Sequence, residues 1–291
     1  MCTAIKFNKM MGRNYDYDQS YDETVTNLPR GYKGNKYACI GVCTGIINEH
    51  PLFYDAMNEN GLCISALAFK GNAHYNPPLR DKENVPSYDF IRYIIGNFDT
   101  VESVKAYLEN CNITDEPYSE QFPNSDLHWM ICDKTDCIVV EQTKKGLNVY
   151  DNPYGVLTNN PPFDRQVIEM KSMDKIIGSI YYPNGICKSR GTETVGVKGD
   201  TTSMGRFHRV HYYMEQMKKP KGKVCSDDVS TLHLLDLVKQ TWGATPVNDS
   251  YEYTIYSVIY DMEELEIIIK PYDNTGVNRI MLRNKERRYR V

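Results

Sequence analysis

The stretch MCTAIKFNKMMGRNYDYD (Met1–Asp18) decides how the rest of the chain is read. Thr3–Phe7 is built of β-branched, apolar and small residues, the mark of a buried strand. A hairpin after it would return Gly12-Arg13-Asn14-Tyr15-Asp16 to the side of residue 2. There the guanidinium of Arg13 could stabilise a thiolate. The carboxylate of Asp16 could hold an α-amine through a charge-assisted hydrogen bond. Cys2 brings a thiol and, once Met1 is removed, a free α-amine with a reference pKa of about 7.7–8.0. Nucleophile and base would then belong to one residue, the logic known for N-terminal threonine. A second-position cysteine standing alone reads as incidental; the charged run beside it argues otherwise.

The bulk properties narrow the classes. A chain of 291 residues with 41% hydrophobic residues can bury a large core as a single α/β or α+β unit. Lys and Arg number 34 against 38 Asp and Glu, so no basic excess points to nucleic acid. The one basic cluster, Lys285–Arg290, reads as a solvated tail. The first residues have no apolar core of a signal peptide, and no stretch reaches the ~20 apolar residues of a membrane span. Nine cysteines, an odd count without an export signal, indicate a reducing cytoplasm. Cys39, Cys43, Cys63 and Cys132 lie in apolar stretches and read as small core residues. Cys39 and Cys43 would share one strand face, but without a C-x-x-C pair a metal site is not expected. No glycine-rich phosphate loop follows a strand, so no cofactor is expected either.

Strands are expected at 37–44 and 62–69, then helices at 88–97 and 101–108. Thr100 with Asp99 offers a cap for the second helix. A meander follows at 127–132, 137–142 and 147–150, divided by short turns. Residues 165–200 read as irregular. Helices at 207–217 and 229–241 precede closing strands at 253–260 and 265–270. Strands first and last, with helices grouped between, favour antiparallel α+β layers over a parallel doubly wound sheet.

Two distant residues complete the candidate chemistry. Asn159, in Leu157-Thr158-Asn159-Asn160-Pro161-Pro162, ends a strand where an amide suits an oxyanion donor, although alone it reads as a turn residue. Arg206, in Gly205-Arg206-Phe207-His208-Arg209, opens a helix and alone reads as a surface arginine. None of the six histidines carries a catalytic signature.

The order and spacing of MCTAI, GRNYDYD, DAMNENGLCISALAF, PNSDLHWMICD, IVVEQTKKGLNVYDNPYGVLTNNPPFD and GRFHRV resemble the choloylglycine hydrolase family of N-terminal nucleophile hydrolases, nearly end to end. That family includes bile salt hydrolases and penicillin V acylases. The resemblance implies a four-layer αββα fold over residues 1–291, with two antiparallel sheets between helical layers. It implies Cys2 as nucleophile and base, with Arg13, Asp16, Asn159 and Arg206 as the catalytic set. An oxyanion contribution comes from the backbone of Ala68, where the family commonly has Asn or Tyr; a backbone N–H survives that change, a side-chain amide does not. It further implies an acyl pocket near Tyr15, Tyr21, Ile47, Tyr118 and Phe122.

The implied substrate is a small N-acyl amide. FKGNAHY (Phe69–Tyr75) resembles the corresponding run of bile salt hydrolases, which tilts the reading to glycine or taurine conjugates. Ser189-Arg190-Gly191 resembles a form associated with taurine. Penicillin V, or an N-acyl amino acid or lactone, on the same scaffold is the alternative; a non-catalytic binding relative is the second. A cytoplasmic homo-oligomer, a tetramer in the family, is implied too, though the stretch 165–200 looks short for the family's assembly loop.

Overall fold

A computed structural model of the chain describes residues 1–45, 50–175, 194–220, 222 and 224–291. Its first element is the expected hairpin. β1 (Cys2–Phe7) and β2 (Met10–Tyr17) pair antiparallel, Cys2 opposite Tyr15 and Ala4 opposite Arg13. Asn8 turns the chain with a left-handed φ of 52°, which a short polar side chain tolerates.

The chain continues through β3 (Thr24–Leu28), β4 (Cys39–Cys43), β5 (Phe53–Asn58), β6 (Cys63–Ala68), β7 (Glu83–Pro86), α1 (Phe90–Asn97) and α2 (Val101–Leu108). Next come β8 (Cys111–Thr114), β9 (Leu127–Cys132), β10 (Cys137–Thr143), β11 (Gly146–Asp151), β12 (Val156–Leu157), α3 (Phe163–Asp174) and α4 (Ser203–Met217). It ends with α5 (Asp227–Asp236), β13 (Thr245–Val247), β14 (Ser250–Asp261), β15 (Glu266–Pro271), β16 (Asn278–Met281) and β17 (Arg287–Arg290).

Two antiparallel sheets stack. The first runs β12-β1-β2-β14-β15-β16, with β13 beside β14; the second runs β11-β10-β9-β6-β5-β4-β3-β17. Alternation along each strand divides the side chains between two faces. Met11 and Tyr15 of β2 enter the core between the sheets, with Met57, Cys63, Leu67, Met130 and Val139 of the second sheet. Gly12 and Asn14 point the other way: a Cβ at Gly12 would meet Thr231 and Leu235, and the Asn14 amide bonds the Leu235 carbonyl. On the outer face of the second sheet, Ile64, Ala66, Trp129 and Ile131 pack against Phe90, Ile94 and Val104 of α1 and α2. Helix, sheet, sheet and helix therefore lie in the expected αββα order.

Several boundaries differ from the sequence reading. Helix α2 keeps its expected bounds, capped by Thr100, whose Oγ1 accepts from Ser103 N–H while Ser103 answers the Thr100 N–H. Residues 163–174 form α3, which runs into the stretch read as irregular. Its polar helix formers outnumber its apolar ones, so periodicity is weak, and packing on α4 through Phe163 and Phe207 stabilises it. Helix α4 begins at Ser203, four residues early, because Thr202 Oγ1 accepts from Gly205 N–H. Helix α5 stops at Asp236, and Gln240 N–H turns to Thr254 Oγ1 (2.8 Å). The basic cluster at the C-terminus is not a free tail: β17 pairs with β3 as a charged sheet edge, a pattern that discourages further strand addition. Among the described residues no helix is long and apolar enough to cross a membrane.

Gly41 of β4 sits opposite Ala56, where β5 comes close. A Cβ there would lie 2.4 Å from the Asp55 carbonyl oxygen and 2.6 Å from Ala56 Cβ. Overpacking of this kind costs ~1–3 kcal/mol. Gly41→Ala should lower the unfolding free energy by that amount, read as a lower urea midpoint at an unchanged m-value; an unchanged midpoint would show that the strands part freely.

Candidate active site

Register brings the first residues of the site together. Cys2 and Arg13 point to the same side of the hairpin, and Arg13 Nη2 lies 3.5 Å from Cys2 Sγ. The same guanidinium pairs through Nη1 with Asp55, which reaches across from β5 in the second sheet. Asp55 also accepts from Tyr256 (2.9 Å) and from Tyr260. Arg13 is 2% exposed and Asp55 0%. Burial works against the Arg13 charge, but Tyr256, Cys2 and Asp55 outweigh it and hold the guanidinium well above its ordinary pKa. The two tyrosines are pushed up, first by burial and then by Asp55, and stay protonated donors.

Asn159 lies at the end of β12, which pairs with β1. Its Oδ1 accepts from Cys2 N–H (2.7 Å) and from Arg206 Nη2 (2.8 Å). Its Nδ2 donates to the Ala68 carbonyl (2.9 Å). Arg206 descends from α4 and donates through Nη1 to the Cys2 carbonyl and to Thr3 Oγ1 (2.6 Å). It is fully buried, and desolvation depresses its pKa against the pull of Asp16, Cys2 and Glu252.

Asp16 faces away from Arg13, towards β14. Oδ1 accepts from Thr254 (2.6 Å), and the Asp16 backbone carbonyl lies 3.9 Å from Cys2 Sγ. Oδ2 is buried with no hydrogen bond. Desolvation dominates and raises the Asp16 pKa, opposed by Arg206 and the chain's amino terminus. Met1 caps the arrangement: its ammonium bonds the Asp16 carbonyl (3.1 Å) and pairs with Glu252.

Ala68 offers its backbone to the same place. Phe69 N–H bonds the Asp126 carbonyl, and both backbone groups of Leu127 turn to the Tyr75 hydroxyl. By the alternation of an antiparallel ladder, Ala68 N–H and C=O then face away from β9. Asn159 takes the C=O from that side, so the N–H points to the same side. The aromatic residues divide into two groups. Tyr15 stacks on Tyr54 (4.6 Å) and Tyr256 (5.2 Å), and Tyr17 continues the series to Tyr21. Tyr118 instead packs with Phe122, His50 and Tyr88. Among the described residues no ring contact joins the groups, and Ile47 and Ser189-Arg190-Gly191 lie outside those residues. No group of three or more His, Cys, Asp or Glu among the described residues is arranged to hold a metal.

Two contributors were missed from the sequence. Asp55 lay inside a quoted motif, and the available signal was a lone carboxylate in an apolar strand. His128 and Glu141 form the other. His128 Nδ1 meets Glu141 Oε1 (3.0 Å), and Nε2 meets the carbonyl of Thr158 (2.8 Å), the residue before Asn159. Glu141 also accepts from Phe163 N–H, and Gln166 holds the Asn159 carbonyl (2.5 Å). A buried polar net thus fixes the backbone that carries Asn159.

The side chains of Arg13, Asn159 and Arg206 and the backbone carbonyl of Asp16 thus meet at residue 2. The model of the choloylglycine hydrolase family, linear amide C–N hydrolases, matches residues 2–287. The chain belongs to this family. It is 39% identical to a bile salt hydrolase/transferase of Lactiplantibacillus plantarum, over 98% of this chain and 93% of the relative. Identity to the bile salt hydrolase/transferase of Clostridium perfringens is 35%, with the same coverages. The crystal structure of the C2A mutant of conjugated bile acid hydrolase from Clostridium perfringens superposes with a TM-score of 0.92 at 33% identity, covering 100% of this chain and 97% of that one. A penicillin V acylase from Agrobacterium tumefaciens shares the fold, with a TM-score of 0.74 at 18% identity over 97% of this chain and 86% of its own.

Two outcomes follow. Asp55→Asn leaves a buried guanidinium without its counter-charge, which costs about 3–5 kcal/mol. Thermal unfolding should report that loss, and amidase turnover should fall roughly tenfold or more as Arg13 leaves the thiol; unchanged turnover would separate Asp55 from the site. For Asp16 the raised folded pKa means that the native state holds a proton which the unfolded state has already released. Its stability contribution is therefore complete below the ordinary carboxylate pKa and is lost as pH rises through the raised value. Relative to Asp16→Asn, the Tm of the Met1-bearing chain should decline over that window, and parallel Tm–pH curves would contradict the assignment.

Proposed function

We propose that the chain, once Met1 is removed, hydrolyses the amide bond of conjugated bile salts through Cys2. The observation that carries the reading is the convergence of Arg13, Asp16, Asn159 and Arg206 on the thiol, amide and carbonyl of one residue. The new α-amine takes the thiol proton, and the thiolate attacks the substrate carbonyl. Arg13 favours the thiolate. The second N–H of the Asn159 amide and the backbone N–H of Ala68 receive the oxyanion. Each donor of this kind is worth on the order of 10²–10³ in kcat. The protonated α-amine passes its proton to the departing glycine or taurine nitrogen, leaving a thioester. Water, deprotonated by the same amine, attacks the thioester and releases the acid with the thiol restored.

The substrate class follows the bile salt hydrolases among the relatives and the ring series Tyr15–Tyr54–Tyr256 beside the thiol, an apolar surface with polar tips. This reading takes residues 1–291 as one unit, acting in the cytoplasm as a homo-oligomer. The test is a panel of taurocholate, glycocholate, phenoxymethylpenicillin and an N-acyl homoserine lactone, run on protein shown by intact mass to lack Met1. Bile salts should be turned over fastest, and Cys2→Ala should abolish turnover while keeping the circular dichroism of the fold. Preference for the penicillin would move the substrate; full activity in Cys2→Ala would remove the nucleophile.

A further inference from the structure

A second group of thiols lies in the sheet interior, away from Cys2. Cys63 of β6, Cys132 of β9 and Cys137 of β10 occupy directly opposed positions on three neighbouring strands, Cys132 in the middle. All three face the core between the sheets. Each neighbouring pair of thiols is within hydrogen-bonding reach, and Cys63 Sγ also meets the Gly61 carbonyl at 3.7 Å. All three are free thiols. Directly opposed residues of an antiparallel pair stand about 4.5–5.5 Å apart at Cα, inside the range of about 4.4–6.8 Å that a disulfide spans. A row of this kind does not converge on one point, so it suits sulfur–sulfur bonding rather than chelation.

Exposure is graded along the row. Cys63 and Cys132 are fully buried. Cys137 is partly exposed and lines an open cleft of about 630 Å³ with Lys6, Lys105, Asp136, Asn152 and Tyr154. Burial disfavours every thiolate here, but Cys132 receives hydrogen bonds from both neighbours and feels the Lys6 charge, so the row gives up its first proton at Cys132. Asp133 acts against all three thiolates and Asp261 against that of Cys63.

We infer that Cys137, Cys132 and Cys63 form an oxidation site for small hydroperoxides, in which Cys137 meets the oxidant and Cys132 closes a disulfide behind it. Cys137 passes its proton to the Cys132 thiolate as its sulfur attacks the peroxide oxygen. The O–O bond breaks, giving a sulfenic acid at Cys137 and an alcohol that takes up the proton Cys137 gave. Cys132 thiolate then attacks the sulfenic sulfur and hydroxide leaves as water. Two thiols and one hydroperoxide become one disulfide, one alcohol and one water. Cys63 can next attack the Cys132 sulfur, moving the disulfide inward and restoring Cys137 as a thiol. Fast closure spares Cys137 from irreversible sulfinic acid.

The test uses the wild-type chain, since peptide mapping resolves Cys2 from the row. The protein is treated with limiting tert-butyl hydroperoxide, its remaining thiols are alkylated under denaturing conditions, and tryptic peptides are sequenced by mass spectrometry. The expected product links Cys132 to Cys137 or to Cys63, with Cys39 and Cys111 alkylated. In Cys132→Ser, Cys137 should instead accumulate as a sulfenic acid trapped by dimedone, with no linked peptide. The inference is overturned if the wild-type row stays fully alkylatable, or if Cys137 over-oxidises with no link to Cys132 or Cys63. The wild-type map decides this even if Cys132→Ser does not fold.

Discussion

The contact on which the site depends is the buried pair between Arg13 and Asp55, because it ties the two sheets together at the thiol. Arg13 belongs to the sheet that carries Cys2, and Asp55 to the sheet facing it. A guanidinium removed from water needs its charge matched and its donors used. Asp55 supplies the charge, and Tyr256 and Tyr260 saturate the carboxylate from β14. Of the remaining donors, Nη2 points at Cys2 Sγ (3.5 Å), while Nε is buried with no hydrogen bond. Stability and chemistry therefore draw on the same group: the interaction that makes Arg13 tolerable inside the core also aims it. Gly41 belongs to this account, since its missing side chain lets β4 approach the backbone of Asp55.

Around that pair, three of the four layers contribute constraints. The first sheet supplies Cys2, Arg13 and Asp16 by register. The second supplies Asp55 and the backbone of Ala68. Helix α4 supplies Arg206, which holds the Cys2 carbonyl and the Asn159 side-chain oxygen together. Its bond to Asn159 Oδ1 also orients the amide, leaving Nδ2 towards Ala68. Below, Glu141 holds His128, whose Nε2 meets the Thr158 carbonyl, so the backbone entering Asn159 has little freedom. Preorganised donors cost nothing to rearrange as charge develops, and such donors contribute most to a rate.

The sequence made part of this legible for a physical reason. Cys2, Arg13 and Asp16 lie within one hairpin, and period-two alternation plus a short turn brings them together without knowledge of the rest. Asn159 and Arg206 are separated from Cys2 by long stretches, and no periodicity joins them; each alone reads as a turn or surface residue, and only the resemblance ties them to Cys2. Asp55 and His128 escaped because their partners come from other strands and even the other sheet, and a carboxylate or imidazole within an apolar strand does not announce its partner. Helix α3 was missed because its sequence is largely polar and its helical state depends on packing against α4. The cluster Lys285–Arg290 was misread because an edge strand needs only backbone pairing on one side, and its charged side chains resemble those of a tail.

With Met1 attached, Cys2 nitrogen is an amide whose lone pair is delocalised, and it acts only as a donor to Asn159 Oδ1. The proposed base is therefore absent while every partner of the residue is already in position. Meanwhile the ammonium of Met1 rests on Glu252 and the Asp16 carbonyl. Cleavage of the Met1–Cys2 peptide transfers the positive terminus by one residue, to a nitrogen already bonded to Asn159 and held next to the strand of Asp16. Removal of one residue therefore frees, on a residue whose partners are already placed, the amine that the proposed mechanism requires.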